Sequence, residues 1–232
     1  MAPAFTPQPP RPLTRLPPFQ YLLLSLCAFV VLQPYMLHGR MGYLLFVASE
    51  GALLVTGVLA ARLVTRWRRR PTLTLAAATA LCRAGHMLVS TPELDLAAQV
   101  VFLVFLVCVT WSLIRTLLEH PTVQRNTLYG AACAYLLLGL SFTALYVVLE
   151  HVHPPALVAA VAGHVRTDLA WADVVFFSFM TLTTVGYGDI TPVSPEARLV
   201  ALCEAVAGVF FLAFLVARLV ALYRADEPAG DQ

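Results

Sequence analysis

Thr181-Leu182-Thr183-Thr184-Val185-Gly186-Tyr187-Gly188-Asp189 is the most specific stretch of this chain. Glycines stand at alternate positions, Gly186 and Gly188. Successive L-residues of an extended strand point their carbonyls in opposite directions, and glycine enters the left-handed region at little steric cost. Glycine at every second position therefore lets consecutive carbonyls turn to one side. Just upstream, Leu169–Leu182 is apolar but too short to cross a bilayer, which needs about 20 residues. Asp168 precedes it and is the expected N-cap. The piece reads as a half-helix in a re-entrant loop, an irregular backbone allowed at membrane depth only where protein or water surrounds it.

The rest of the chain agrees with a membrane setting. Its 232 residues are 59% hydrophobic and only 12% charged. A soluble domain carries about 25% charge, and disordered segments are poor in hydrophobics, so both classes are excluded. The net charge of +2 gives no reason to expect a nucleic-acid partner. Six runs have the length and composition of spans: Gln20–Leu37, Tyr43–Val64, Leu73–Ser90, Leu96–Leu118, Thr127–Leu149 and Ala197–Tyr223. The first resembles a signal peptide after Arg11 and Arg15, but no small-x-small cleavage site follows, so it reads as a retained helix. Cys27, Cys82, Cys108, Cys133 and Cys203 are scattered in apolar runs and read as small buried hydrophobes, with no metal or disulfide spacing.

Every positive side chain is an arginine. With the N-terminus inside, eleven of the fifteen fall on inner segments, three (Arg40, Arg166, Arg198) on outer ones, and Arg83 within the membrane. The positive-inside rule thus supports six spans with both termini cytoplasmic. The expected organisation is a flexible Pro-rich tail over 1–19, a four-helix unit over 20–118 and a cytoplasmic link over 119–126. The last span pair with its loop fills 127–223, and a short tail of 224–232 is expected to carry no regulatory or ligand domain.

The run Thr183-Thr184-Val185-Gly186-Tyr187-Gly188-Asp189 resembles the selectivity filter of potassium channels. Six spans with one loop between the last two resemble the voltage-gated type. That resemblance implies an all-α integral membrane fold with outer helix 127–149, pore helix 169–183, filter 184–189 and inner helix 197–223. It also implies a homotetramer in the plasma membrane. The permeant K+ would be held by the backbone carbonyls of Thr184, Val185, Gly186 and Tyr187 and by the Thr184 hydroxyl, with Gly188 and Asp189 at the outer end. Thr181, Thr183 and Ser178 would support the filter. No enzyme chemistry, resident metal or cofactor is implied. Gly208 stands where the family has a hinge glycine, with close helix packing as the other reading. Val209, Leu212 and Val216 would then face the cavity below the filter.

Several features depart from the family. The fourth span holds only Arg115, near its inner end, where a sensor helix repeats Arg or Lys at every third position. One charge gives about 2.3 kcal/mol per 100 mV, too little for steep gating, so the first four helices read as a unit that does not sense voltage. The inner helix has Leu215-Val216-Ala217 in place of a Pro-x-Pro bend. Phe176 and Phe177 stand where many members carry tryptophans that brace the aspartate at the filter exit. Glu50 and Arg83 lie at matching depth and are expected to pair, with His86 one turn from Arg83. Glu204 either bonds behind the filter to Ser178 or Thr181, or faces the cavity. His151, His153 and His164 lie in the outer loop and are either proton sensors or bystanders. Rival functions are a weakly selective cation channel, a potassium-transporter subunit and a non-conducting membrane sensor. The missing lysines and Ala-rich spans suggest a bacterium with a GC-rich genome.

Overall fold

The computed structural model describes residues 18–36, 39–64, 69–89, 91–119, 125–161 and 164–225. The expected N-terminal tail, most of the link after residue 119 and most of the C-terminal tail lie outside them. Seven helices follow in order: α1 (Pro18–Leu32), α2 (Gly39–Val64), α3 (Arg69–Leu88), α4 (Pro92–Glu119), α5 (Arg125–Val152), α6 (Trp171–Leu182) and α7 (Pro195–Ala225). A 3-10 turn, Gln33–Met36, continues α1 past the point where Pro34 interrupts it.

Among the described residues, four helices are long and apolar enough to cross a membrane: Met41–Ala61, Pro92–Leu118, Leu128–Val152 and Pro195–Arg218. These fall on the second, fourth, fifth and sixth expected spans. The other two are helical but fall short for different reasons. α1 has 15 residues, about 22 Å of rise. α3 has 20 residues but carries Arg69, Arg70, Arg83 and His86 among alanines and threonines. The threonines and serines inside these helices satisfy themselves: Thr56, Thr79, Thr110 and Thr143 each donate to the carbonyl four residues back.

α1, α2, α4 and α5 share one core, in which Leu22, Phe29, Leu53, Phe102, Phe105, Leu113 and Leu137 are buried. Ser25 meets Thr56 across α1 and α2 at 2.8 Å. The Cys133 thiol of α5 points at the Phe19 carbonyl of α1. Of the cysteines, only Cys133 is buried; Cys27 and Cys203 are exposed on the single chain, against the expectation of burial.

The fold is not purely α-helical. The loop between α5 and α6 forms β1 (Leu157–Val161) and β2 (His164–Arg166), and β3 (Ile190–Pro192) follows the glycine run, giving an antiparallel sheet of order β2-β1-β3. β1 alternates inward Leu157 and Ala159 with more open neighbours, the period of a half-buried strand. Its inner side shares a second core with Tyr146, Val174, Phe177, Ile190 and Ala197. The strands are three to five residues long, too short to stand out beside the spans in the sequence.

Each helix starts away from its expected residue, and at two of them a side chain explains the shift. α7 begins two residues early because Ser194 caps it, its hydroxyl accepting from the Ala197 amide at 3.1 Å. Asp168 does not cap α6. The helix starts at Trp171 with Ala170 as N-cap, and Asp173 turns back to accept from the Ala170 amide at 3.0 Å.

Candidate functional site

α6 and the run after it lie between α5 and α7. The twelve residues of α6 rise about 18 Å, and the chain then leaves the helix at Thr183. Three of the next residues have positive φ: Thr184 at 60°, Gly186 at 55° and Gly188 at 78°. The left-handed positions therefore alternate over 184, 186 and 188, one more than the glycines announce. The start of the run is docked on the end of α6. The Met180 carbonyl accepts from the Val185 amide at 2.9 Å and the Gly186 amide at 3.2 Å, and the Thr181 carbonyl from the Thr184 amide at 3.0 Å.

The supporting hydroxyls are directed away from the run. Thr181 Oγ1 donates to the Phe177 carbonyl and Thr183 Oγ1 to the Phe179 carbonyl, both back along α6. Ser178 is buried behind α6, 2.8 Å from the Gly139 carbonyl of α5 and 2.5 Å from Glu204 Oε1 of α7. Glu204 is fully buried, and its other oxygen accepts from the Tyr146 hydroxyl at 2.8 Å. Of the two positions open to Glu204, the structure adopts the one behind the run, bonded to Ser178 and not to Thr181.

One turn along both helices, Gly208 packs on Leu182. A Cβ at 208 would collide with the Leu182 carbonyl oxygen, which also accepts from the Tyr135 hydroxyl at 3.3 Å. Gly208 is thus a close-packing position here. Tyr135 and Tyr146 are eleven residues apart, three helical turns, so one face of α5 delivers both hydroxyls. Sequence reasoning missed both; a buried tyrosine hydroxyl needs a partner, and Glu204 in an apolar helix needs donors.

The two phenylalanines diverge. Phe176 stacks on Tyr187 with centroids 6.0 Å apart and rings within 2° of parallel. Phe177 meets Tyr146 edge-on at 5.1 Å. Asp189 Oδ1 accepts from the neighbouring Ile190 amide, with no side-chain donor from α6 among the described residues. Tyr187, Val185, Val209, Leu212 and Val216 are all exposed on the single chain.

Away from the run, Arg83 Nε donates to Glu50 Oε2 at 3.1 Å. Arg83 Nη1 also binds Asp95 Oδ1 at 3.0 Å, and Asp95 Oδ2 lies 3.3 Å from His151 Nε2. Asp95 and His151 were missed as partners because Asp95 sits one residue before the fourth expected span. His86 Nδ1 lies 3.3 Å from the Thr91 carbonyl instead. The Arg83 guanidinium covers the Phe46 ring at 5.3 Å, and Phe46 packs edge-on against Trp171, the first residue of α6. No group of His, Cys, Asp or Glu among the described residues could hold a metal ion.

Residues 134–225 match a family model described as an ion channel. That span takes in most of α5, the sheet, α6, the glycine run and α7. Two curated proteins are similar over shorter stretches. The chain is 41% identical over 49 residues to two pore potassium channel c of Oryza sativa subsp. japonica, covering 21% of this chain and 11% of that one. It is 39% identical over 85 residues to protein LctB of Geobacillus stearothermophilus, covering 35% of this chain and 60% of that one. The chain therefore aligns with about a tenth and three fifths of these relatives. No solved structure matches it. Helices of spanning length and an ion-channel match make this a membrane protein with channel character.

Proposed function

We propose that the chain is one subunit of a homotetrameric potassium channel that conducts K+ passively, with no enzyme chemistry. The observation that carries this reading is the alternation of left-handed residues at Thr184, Gly186 and Gly188, anchored on the carbonyl end of α6. Alternating backbone handedness turns consecutive carbonyls to one side, and four such strands around an axis replace the hydration oxygens of a K+ ion. The permeant ion is held by the carbonyls of Thr184, Val185, Gly186 and Tyr187 and by the Thr184 hydroxyl. The carbonyl end of α6 places the negative end of a helix dipole near the ion path. The ion-channel match, and the potassium channel named among the similar proteins, support the same reading.

In this reading α1 with its 3-10 turn and α3 complete six spans, α6 and the run form the re-entrant loop, and both termini are cytoplasmic in a plasma membrane, the composition pointing to a bacterium. α1 and the turn together rise about 30 Å. α3 tolerates its buried arginine because two carboxylates meet it. Val209, Leu212 and Val216 line the cavity below the filter. The test is a planar-bilayer recording of purified protein with K+ on one side and Na+ on the other. Current reversing near the K+ equilibrium potential is expected; reversal at the Na+ value, or no current across voltage, overturns the proposal.

A further inference from the structure

A carbonyl-lined strand is a poor structure by itself. Its aligned dipoles repel one another, its backbone uses left-handed angles, and it lacks a ladder of its own. Ions inside it offset the repulsion. When few ions are present, the strand keeps its shape only if both ends are held. The inner end is held by Met180 and Thr181, as described. From α6, Phe176 stacks on Tyr187 and Phe177 meets Tyr146, neither ring carries a hydrogen-bond donor, and the Asp189 carboxylate bonds its own neighbour.

The outer loop supplies what α6 does not. β3 begins at the residue after Asp189 and pairs with β1 in the register Leu157–Pro192, Val158–Thr191 and Ala159–Ile190. The Ala160 amide continues that ladder and donates to the Asp189 carbonyl at 2.7 Å. β1 is itself fixed to the end of α5, because Glu150 Oε2 accepts from the amides of Ala156 and Leu157. On its other side β1 carries β2, and Arg166 of β2 reaches Asp173 in the first turn of α6 at 2.6 Å. Asp173 is the residue that turns back onto the N-cap amide of α6. The sheet thus connects three points: the end of α5, the start of α6 and the exit of the glycine run.

We propose that this sheet is the outer clamp of the filter, with the Ala160 amide and the Arg166–Asp173 pair as its positioning elements. The proposal rests on the reading of 184–189 as a K+ filter. The clamp keeps Asp189 at a fixed distance from α6, so the carbonyl ladder survives when outer K+ is scarce. It acts through backbone pairing where a side-chain brace is absent.

The experiment is recording of the full-length channel during sustained opening, with outer K+ stepped from high to low. Both backbone groups of a strand residue point to the same neighbour, so Ala160→Pro removes the Asp189 bond and spares the β1–β2 ladder. Arg166→Gln breaks the pair to Asp173 at a half-exposed side chain and leaves the fold intact if proline does not. Current at low outer K+ is expected to decay roughly five- to ten-fold faster than wild type in Ala160→Pro, the factor that one lost hydrogen bond supports, and roughly two- to five-fold faster in Arg166→Gln, the range of an exposed ion pair. High outer K+ should restore the wild-type time course, which a general folding defect would not allow, and Arg166→Lys should behave as wild type. Selective wild-type current with unchanged decay in Arg166→Gln and in any conducting Ala160→Pro overturns the clamp alone. Absence of K+-selective wild-type current overturns the clamp together with the function it rests on.

Discussion

Two residues of α7, one turn apart, decide how it meets α6. Glu204 reaches Ser178 and Tyr146, and Gly208 lies on the Leu182 carbonyl. Backbone does not yield as a flexible side chain would, so Gly208→Ala should overpack the contact by about 1–3 kcal/mol. Gly51, also mid-helix, has nothing within 4 Å of a built Cβ, so Gly51→Ala should be neutral or stabilising by up to about 1 kcal/mol. Thermal unfolding of the two purified variants checks the contrast; equal shifts would remove the packing argument. Glu204→Ala leaves the Tyr146 hydroxyl without its acceptor, at about 1–3 kcal/mol for that buried group, while Ser178 keeps the Gly139 carbonyl. Tyr146→Phe removes one donor and should cost about 1 kcal/mol. Because the two share one bond, the double variant should lose less than the sum of the singles. Additive losses in a double-mutant cycle would mean that the Tyr146–Glu204 contact carries no coupling. The glycines made Gly186 and Gly188 readable in advance. Thr184 was not readable as left-handed, since a β-branched residue avoids that region and only its bonds to the end of α6 hold it there.

The peripheral helices are tied by charge as well as by packing. Arg83 of α3 sits between Glu50 of α2 and Asp95 of α4, and Asp95 reaches on to His151 of α5. The arginine is held on two sides and rests on Phe46, an arrangement suited to fixing helices. Replacing Glu50 by Ala leaves a buried guanidinium with one partner lost, which costs about 3–5 kcal/mol in comparable pairs. The paired replacement Glu50→Leu with Arg83→Met should recover part of that loss, because an apolar pair of similar volume needs no desolvation, while Asp95 gives up Arg83 and keeps His151. Melting temperature in detergent and the yield of the proposed tetramer measure both. A double variant as unstable as Glu50→Ala would mean that the charges do more than fix the packing. The depth of Glu50 and Arg83 within their spans was enough to expect the pair. The sheet was not legible for a different reason: its strands are three to five residues long, and β3 joins β1 from the far side of α6 and the glycine run, a pairing that no local period announces. The ends of α6 and α7 shifted because capping is decided by one side chain, Asp173 or Ser194, and not by the apolar pattern.

At the scale of the whole molecule, α7 is the least covered of the long helices. Phe210, Phe214, Leu199 and Leu202 are each at least 60% exposed on the single chain, and Tyr187 of the glycine run is 70% exposed. A helix facing lipid could remain so, but the glycine run could not, since irregular backbone at membrane depth needs protein or water around it. The proposed fourfold association would answer both, turning one face of α7 to a water-filled cavity and others to neighbouring copies. Leu212 and Phe211 separate these faces. Phe211 packs on Tyr135 of α5 at 5.5 Å and is partly covered, whereas Leu212 is open, in line with Val209 and Val216. In a background with the five native cysteines replaced, Leu212→Cys should react with a charged thiol reagent applied from the cytoplasmic side, and current should fall as it does. Phe211→Cys should stay unreacted under the same treatment, because its side chain points at α5 and a charged reagent does not enter an apolar contact. Modification of Phe211→Cys at the rate of Leu212→Cys would place the cavity on the wrong face of α7 and reject the proposed fourfold arrangement.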